Sequence, residues 1–311
     1  MRRWLKSHHD TLFPFFPYLR KRDLSWFLDQ LEKRGGGRGA LYIHIPFCIG
    51  RCTFCILTRE QPSSTMKYVE TLLAEAAEWS NYFSPVETVY VGGGTPTLLS
   101  SEELNRLFDG LKDTFRIEKN AEISVETTVS ELTEEKMSLL AKLGVNRLSI
   151  GVQTFNPSLR KVLGRRSSPE TVIEKLKAAR AVFPTLSVDI LYNLPGSNKN
   201  AVISDLEQAV ELGVDGISLY PLIYGRKTAI SKLDPPGISD AMDAFIDAKN
   251  VLEEHGYTQM NINHFSNGRD KFLYSTYFNN LKPVLGLGAG AMGFMASCFL
   301  KHKLSARKYI M

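Results

Sequence analysis

The sequence lacks several features that would define its class at once. No apolar run approaches the ~20 residues of a membrane-spanning helix, and residues 1–22 lack the continuous apolar segment of a signal peptide. Only four of the 311 residues are cysteine, and a chain of this length can bury a core without disulfides. No dense Lys/Arg run is interleaved with aromatic residues. These absences predict a cytoplasmic protein that binds neither membranes nor nucleic acid.

The net charge of +5 is concentrated near the N-terminus. Residues 1–40 hold nine Lys or Arg against four Asp or Glu, so the rest of the chain is neutral on balance. This basic head is either a solvated helical extension or a contact for an acidic partner. Glycines in residues 35–40 predict a flexible hinge after it. We therefore expect a basic N-terminal extension (1–40) and a core domain (41–311).

The core repeats one pattern: a short β-branched run, a polar turn, then a helical stretch. Six such units predict an α/β fold, a parallel sheet that curls into a partial or complete (β/α)6 barrel. The predicted strands are 41–46, 86–91, 121–126, 146–152, 186–192 and 214–220. The predicted helices are 65–80, 101–114, 133–143, 169–182, 200–212 and 238–255.

Unusual residues cluster where the predicted strands end. In βα barrels the reactive groups lie at the carboxyl ends of the strands. The candidates there are Cys48 after the first strand, Gly92–Gly94 after the second, Glu126, Gln153, Asp189 and Tyr220. We expect all of them on one rim.

Three of the four cysteines, Cys48, Cys52 and Cys55, lie within eight residues. Soft thiolates suit an iron–sulfur cluster or zinc. Zinc would need a fourth ligand, for which Cys298 and His44 are the candidates. A [4Fe–4S] cluster held by three cysteines keeps one iron open to a chelating ligand, a catalytic arrangement. Inert buried cysteines are the remaining alternative.

The spacing Cys-x3-Cys-x-Phe-Cys resembles the cluster loop of radical S-adenosylmethionine (SAM) enzymes. The segments "YIHIPFC", "VYVGGGTPTLLS", "NRLSIGVQTFNPSLRKVLGR", "VDILYNLPG" and "GLGAGA" resemble the oxygen-independent coproporphyrinogen III oxidase branch. That branch also contains haem chaperones, anaerobic haem-degrading enzymes and class C radical SAM methyltransferases. The resemblance implies a radical SAM barrel with one [4Fe–4S] cluster and one or two SAM molecules. In this family an electron from the cluster cleaves SAM to a 5′-deoxyadenosyl radical, which abstracts hydrogen from a substrate.

The resemblance also implies residue roles at a first SAM site. Cys48, Cys52 and Cys55 would ligate the cluster. Tyr42 and the turn Gly93–Gly94–Thr95 would line SAM, and Glu126 would contact it. A tight turn after the second strand is the plainer interpretation of the glycines.

At a second SAM site the matching residues are Gln153, Arg165 and Asp189. Arg165 could instead form a solvated pair with Arg166. Phe54 would pack on a SAM or cover the cluster. Met292 would line an adenine or belong to the core. No catalytic residue is identified.

Departures from the family pattern leave the reaction open. Leu57 stands where the oxidase has a further cysteine, and Leu273–Tyr274 stand where the haem chaperones have His-Asn. His264, expected on a polar loop, resembles a histidine of the haem-utilisation enzymes. We expect the family's C-terminal accessory domain to be absent, so a partner subunit could complete the site.

The expected substrate is a tetrapyrrole or another planar aromatic molecule. The expected electron donor is a flavodoxin or ferredoxin. Oxidative decarboxylation or methyl transfer to an sp² carbon is the leading function, and a haem chaperone or carrier is the alternative.

Overall fold

Six parallel strands and the helices that connect them form the centre of the molecule. A computed structural model describes residues 24–35, 37–50, 52–57, 59–224, 228–302 and 305–310. The central strands are β1 (Gly39–Ile45), β2 (Val86–Gly93), β3 (Ile117–Thr128), β4 (Arg147–Gln153), β5 (Thr185–Tyr192) and β6 (Gly216–Pro221). The helices that follow them are α2 (Thr65–Trp79), α3 (Ser101–Thr114), α4 (Glu134–Lys142), α5 (Pro157–Val162), α6 (Pro169–Val182), α7 (Lys199–Glu211) and α8 (Ile238–Glu254).

The sheet continues beyond both ends of the parallel core. The further elements are β7 (Thr258–Gln259), β8 (His264–Ser266), α9 (Leu273–Asn279), β9 (Val284–Leu287), β10 (Met292–Met295), β11 (Cys298–Lys301) and α10 (Ala306–Tyr309). The strand order is β11-β10-β9-β1-β2-β3-β4-β5-β6-β8-β7, with β9 parallel to β1 and with β10, β11, β8 and β7 added antiparallel to their neighbours. The predicted (β/α)6 architecture is confirmed as a partial barrel, since among the described residues β11 and β7 end the sheet without pairing with each other.

All six predicted strands and all six predicted helices are present. Two predicted helices, 101–114 and 169–182, match α3 and α6 at both ends. The third strand is longer than predicted, since β3 spans 117–128 rather than 121–126. The strands that the sequence pattern missed are two to four residues long. Such short pieces carry little periodicity.

The two faces of the sheet differ in chemistry. Residues of β1 such as Leu41, Ile43 and Ile45 are fully buried in the main apolar core with the helices. The residues between them, Tyr42 and His44, belong to the opposite face, which we call the inner face. This alternation follows from the two-residue period of a strand. The inner face collects the polar and aromatic side chains of every central strand.

The helix before the barrel, α1 (Leu24–Arg34), packs against the main body. Its Phe27 and Leu31 are buried in the main core, and Phe27 contacts Trp79 at 6.1 Å between ring centroids. For residues 24–34 the interpretation as a solvated extension is therefore wrong. Burial of the apolar face of α1 against the core is more favourable than its exposure to water. Gly39 already belongs to β1, so the hinge is shorter than predicted. The rest of the basic head, residues 1–23, lies outside the described residues. Of the helices described, none combines the length and the apolarity needed to cross a membrane.

Candidate functional site

The predicted site residues occupy neighbouring strand ends at one edge of the parallel sheet. The cysteine loop follows β1, the glycine turn ends β2, and Glu126 lies near the end of β3. Gln153 is the last residue of β4, and Asp189 lies in β5. The parallel order β1 to β6 brings these ends side by side, as the sequence predicts.

The cysteine loop returns to the strand from which it leaves. The Cys48 N–H donates to the Glu60 carbonyl (3.0 Å) and the Glu60 N–H donates to the Pro46 carbonyl (2.9 Å). This pair of bonds closes the neck of the loop. Cys48, Cys52 and Cys55 are free, half-buried thiols. Burial raises the pKa of Cys48, although its contact with the Thr95 hydroxyl at 3.5 Å opposes the shift.

The zinc alternative finds no support in the positions of its proposed fourth ligands. His44 Nδ1 is 2.7 Å from the Tyr42 hydroxyl, so this ring nitrogen is already engaged. Cys298 lies on β11, three strands away from β1. In the described part of the chain, no three potential ligands converge as a ready-made metal site. Three half-buried free thiols on one closed loop nevertheless fit the ligand set of a cluster with an open iron.

The glycine turn after β2 lies directly against the cysteine loop. The Gly94 and Thr95 N–H groups donate to the carbonyls of Ile45 (2.7 Å) and Phe47 (2.8 Å). A Cβ on Gly94 would lie 2.5 Å from the Phe47 carbonyl oxygen, closer than side chains tolerate. Gly93 has φ +114°, which favours glycine. The turn is therefore also a packing requirement for the position of the cysteine loop.

Glu126 is held by two donors from β2. Tyr90 donates its hydroxyl proton at 2.5 Å and the Gly93 N–H donates at 2.9 Å. Burial raises the pKa of Glu126, and these two hydrogen bonds work against the shift. The carboxylate fixes the glycine turn through Gly93, so the strand-end glutamate is neither exposed nor without a partner.

Gln153, Arg165 and Asp189 meet around Gly151. A Cβ on Gly151 would lie 2.9 Å from Gln153 Nε2 and 3.1 Å from an Arg165 guanidinium nitrogen, Nη2. Gly151 is the direct register partner of Asp189 on β5. Gln153 reaches this position with φ +74°, next to an irregularity in the β4–β5 pairing. The three residues predicted to act together are therefore adjacent.

Arg165 is not part of a solvated arginine pair. Its guanidinium carbon lies 5.7 Å from the centroid of the Phe54 ring, and its Nε is buried without a hydrogen-bond partner. Arg166, in contrast, is exposed. A cleft of about 130 Å³ opens beside Arg165, and Cys48, Cys52, Thr95 and Gly151 also line it. Of the residues predicted at the second SAM site, Arg165 lines this cleft, together with Cys48, Cys52 and Thr95 of the first group.

Asp189 has an electrostatic environment that disfavours its ionised form. Burial raises its pKa to about 7, and the Glu126 charge adds to the shift. The cations Arg147 and Arg165 oppose it. A carboxyl with this pKa can carry a proton near neutrality.

The remaining predicted residues are Met292 and Tyr42. Met292 starts β10, which β9 separates from β1. The Tyr42 ring stacks on Tyr274 of α9, with centroids 5.2 Å apart. Tyr274 also stacks on Tyr90 at 4.5 Å. The Tyr42 and Tyr90 centroids are themselves 6.2 Å apart, so the three rings form a triangular aromatic cluster on the inner face in which Tyr274 covers the other two.

The aromatic cluster and a buried polar network beside it were not predicted from the sequence. Arg147 forms a two-point ion pair with Asp270, through Nε (2.7 Å) and Nη2 (2.9 Å). His264 is buried at the start of β8 rather than on a polar loop, and it contacts the same carboxylate. The alternation of polar residues along β3 to β6 predicts which side chains lie on the inner face. It does not predict that Arg147 pairs with Asp270, 123 positions away.

The fold and the site define a class: a partial parallel barrel whose strand ends present three cysteines, a glycine turn and several polar side chains. A model of the radical SAM superfamily matches residues 42–209. The chain belongs to this superfamily, whose members bind a [4Fe–4S] cluster and SAM.

The relatives place the chain within one branch of the superfamily. The heme chaperone HemW of Lactococcus lactis is 32% identical over 283 residues, which cover 86% of this chain and 73% of the relative. The oxygen-independent coproporphyrinogen III oxidase of Escherichia coli K12 is 28% identical over 296 residues, which cover 87% of this chain and 64% of the relative. The solved structure of the E. coli coproporphyrinogen III oxidase HemN matches with a TM-score of 0.82 and 25% identity, over 93% of this chain and 72% of that one. The branch predicted from the motifs is confirmed.

Proposed function

We propose that this chain is a cluster- and SAM-binding protein that binds a tetrapyrrole, and that haem carriage is its leading function. The relative reported above at 32% identity is a heme chaperone. The observation in the structure that supports a planar ligand is the aromatic cluster of Tyr42, Tyr274 and Tyr90, in which Tyr274 lies within 21° of parallel to each of the other two rings. Flat aromatic surfaces of this kind stack on conjugated rings.

The histidines of the inner face are engaged with other side chains. His44 contacts the Tyr42 hydroxyl and His264 contacts Ser218 and Asp270. A haem on this face would therefore be held by stacking and by its propionates rather than by either histidine as found. Arg165, with its buried Nε free of hydrogen bonds, is suited to a carboxylate.

A haem titration of the cluster-loaded protein tests this function. Tyr274→Ala should weaken haem binding about fivefold, because one stacking contact is worth about 1 kcal/mol. Tyr277→Ala is the matched control, since it lies on the same helix and contacts Lys282 instead of the aromatic cluster. Equal affinities for the two variants, or no saturable haem binding by the wild type, would remove haem carriage from consideration.

Radical chemistry on a tetrapyrrole is the second candidate function. It is supported by the convergence of Gln153, Arg165 and Asp189 around Gly151, beside the cleft that Cys48 and Cys52 line. When bound, the cluster supplies one electron to SAM, and a flavodoxin or ferredoxin would supply that electron in the cytoplasm. The chain's own residues would hold the carboxylates of SAM and substrate and exclude water.

Product analysis separates the two functions. Anaerobic protein is given SAM and dithionite, and 5′-deoxyadenosine and S-adenosylhomocysteine are quantified together. Deoxyadenosine alone supports oxidative chemistry or uncoupled cleavage, and both products support methyl transfer with two working SAM sites. If neither forms although the cluster is present, radical turnover is excluded for the chain by itself, and a partner subunit that completes the site becomes the next test.

A further inference from the structure

The last helix of the described chain, α10, contacts the neck of the cysteine loop. The Ala306 N–H donates to the Glu60 side chain, with 2.6 Å between the nitrogen and Oε1. Glu60 is also the residue whose own N–H and carbonyl close the neck, where it forms a parallel β-bridge with Phe47. One residue therefore joins the neck to α10, although 246 positions separate Glu60 from Ala306.

This hydrogen bond uses a donor that the helix itself leaves free. Ala306 is the first residue of α10, and the first N–H groups of a helix have no acceptor within it. The Ser305 hydroxyl accepts from the Lys308 N–H, so the Ala306 N–H needs an acceptor from outside the helix. Ala306 is 3% exposed, and a buried N–H without a partner is costly. Glu60 supplies that acceptor.

The other end of the loop reaches α10 through aromatic contacts. Phe47, the residue before Cys48, packs edge-on against Tyr68 of α2, with 5.2 Å between the ring centroids. Tyr68 packs in turn against Tyr309 of α10, with 5.1 Å between the centroids. Phe47 and Tyr68 are both buried. Both ends of the loop, at Phe47 and at Glu60, are thus connected to the same short helix.

The position of α10 is fixed by α2. The Tyr309 hydroxyl donates to the Glu75 carboxylate of α2, which also accepts the Gly288 N–H at 3.0 Å. His302, which precedes α10, lies with Nε2 3.2 Å from the other oxygen of Glu75. Because α2 is packed into the main core, α10 has a support that does not depend on the cysteine loop.

We propose that residues 305–310 form a clasp that holds the neck of the cysteine loop closed and thereby sets the position of the three thiolates, with Glu60 as the positioning residue. Glu60 is not a cluster ligand and acts on the ligands through the neck. Without the clasp, the Glu60 end of the neck would depend mainly on its two backbone hydrogen bonds. The inference goes beyond the proposed function, since it applies to haem carriage and to radical chemistry alike.

Iron release from the cluster-loaded protein tests the clasp. An iron chelator is added anaerobically, and the rate of iron loss reports opening of the loop. Glu60→Ala removes the acceptor and should release iron about tenfold faster, the scale of one hydrogen bond to a charged group. Glu60→Gln keeps an acceptor oxygen and should stay closer to the wild type. A wild-type rate in Glu60→Ala would overturn the proposal.

Ala306→Pro removes the donor of the same hydrogen bond. Proline has no N–H and is tolerated at the first position of a helix. Ser305 already has the extended backbone, with φ −71° and ψ 159°, that a residue before proline prefers. The variant should release iron as fast as Glu60→Ala does.

Glu134→Pro is the matched control for the proline. Glu134 is the exposed first residue of α4, so this variant also places a proline at a helix start but leaves Glu60 and α10 unchanged. It should release iron at the wild-type rate. Equal acceleration in the two proline variants would overturn the proposal, because it would show a general effect of the substitution.

A double-mutant cycle shows whether Glu60 and Ala306 act through each other. If one hydrogen bond carries both effects, the protein with Glu60→Ala and Ala306→Pro should release iron no faster than either single variant. Accelerations that multiply would mean that the two residues act independently, and the clasp would be refuted.

Electron paramagnetic resonance of the reduced cluster separates positioning from general stability. An open neck lets the loop adopt several positions, so the signals of Glu60→Ala and Ala306→Pro should be broader than that of the wild type. Leu31→Ala creates a cavity in the main core at α1 and should keep the wild-type line shape. Equal broadening in Leu31→Ala, or none in the two clasp variants, would overturn the positioning role. Neither measurement involves haem or turnover, so the outcome is distinguishable from a failure of the proposed function.

Discussion

Glu126 shows how one side chain can link two elements of the site. It accepts hydrogen bonds from the Tyr90 hydroxyl and the Gly93 N–H, so it positions the glycine turn that adjoins the cysteine loop. An amide at this position keeps the shape but can accept with only one of its two terminal atoms.

We therefore expect Glu126→Gln to weaken SAM binding about tenfold or more, with the cluster retained. Calorimetric titration of cluster-loaded protein with SAM measures the effect. Glu122→Gln is the control, because Glu122 lies on the same strand and the same face and also accepts a backbone N–H, that of Leu273. Similar losses in both variants would mean that the inner face as a whole, and not the glycine turn, responds to the lost charge.

At the scale of elements, the glycine turn and the cysteine loop depend on each other for position. Gly94→Ala would place a Cβ 2.5 Å from the Phe47 carbonyl oxygen. Because the Phe47 carbonyl belongs to the backbone, the strain cannot be relieved by a rotamer change. Overpacking of this kind costs about 1–3 kcal/mol. We expect a lower melting temperature and at least half of the bound iron to be lost.

Gly50→Ala provides the comparison for that variant. Gly50 lies inside the cysteine loop, and a Cβ there would meet nothing within 4 Å. Iron content and thermal unfolding should match the wild type. If Gly50→Ala lost as much iron as Gly94→Ala, the cause would be loop rigidity and not the close approach at Phe47.

The helix α1 provides a second test at this scale. Leu31 is 1% exposed and belongs to the main core, so Leu31→Ala should lower the free energy of unfolding by about 2–5 kcal/mol. Urea denaturation measures it. Leu233→Ala, at a site 44% exposed, should change stability by less than about 0.5 kcal/mol. A cost at Leu31 no larger than at Leu233 would show that α1 is only loosely attached.

At the scale of the whole molecule, the cluster and the fold are separable. The large apolar core lies between the helices and the outer face of the sheet, away from the inner face. Cys52→Ala should therefore abolish the bound iron, the sulfide and SAM cleavage while the far-ultraviolet circular dichroism stays that of the wild type. Cys298→Ala, on the edge strand β11, should retain the full cluster. Four irons and four sulfides retained by Cys52→Ala would refute the ligand assignment.

Sequence patterns predicted the periodic features of this protein. Repeated β-branched runs and amphipathic helices predicted the six units of the barrel, because burial of one face imposes a period on the residues. The spacing of Cys48, Cys52 and Cys55 predicted thiolate ligation of a cluster or a metal, because soft ligands demand particular residue types. SAM followed from the resemblance of the motifs to radical SAM enzymes.

Which distant residues meet depends on the tertiary structure. Arg147 and Asp270 are 123 positions apart, and their pairing depends on β8 adding to β6 in one register. The aromatic cluster of Tyr42, Tyr90 and Tyr274 needs α9 to lie across the inner face. The pKa of Asp189 depends on burial and on charges from β3, β4 and the loop after α5. None of these contacts leaves a local pattern, because the energy that selects them comes from packing between elements rather than from the propensity of any one segment.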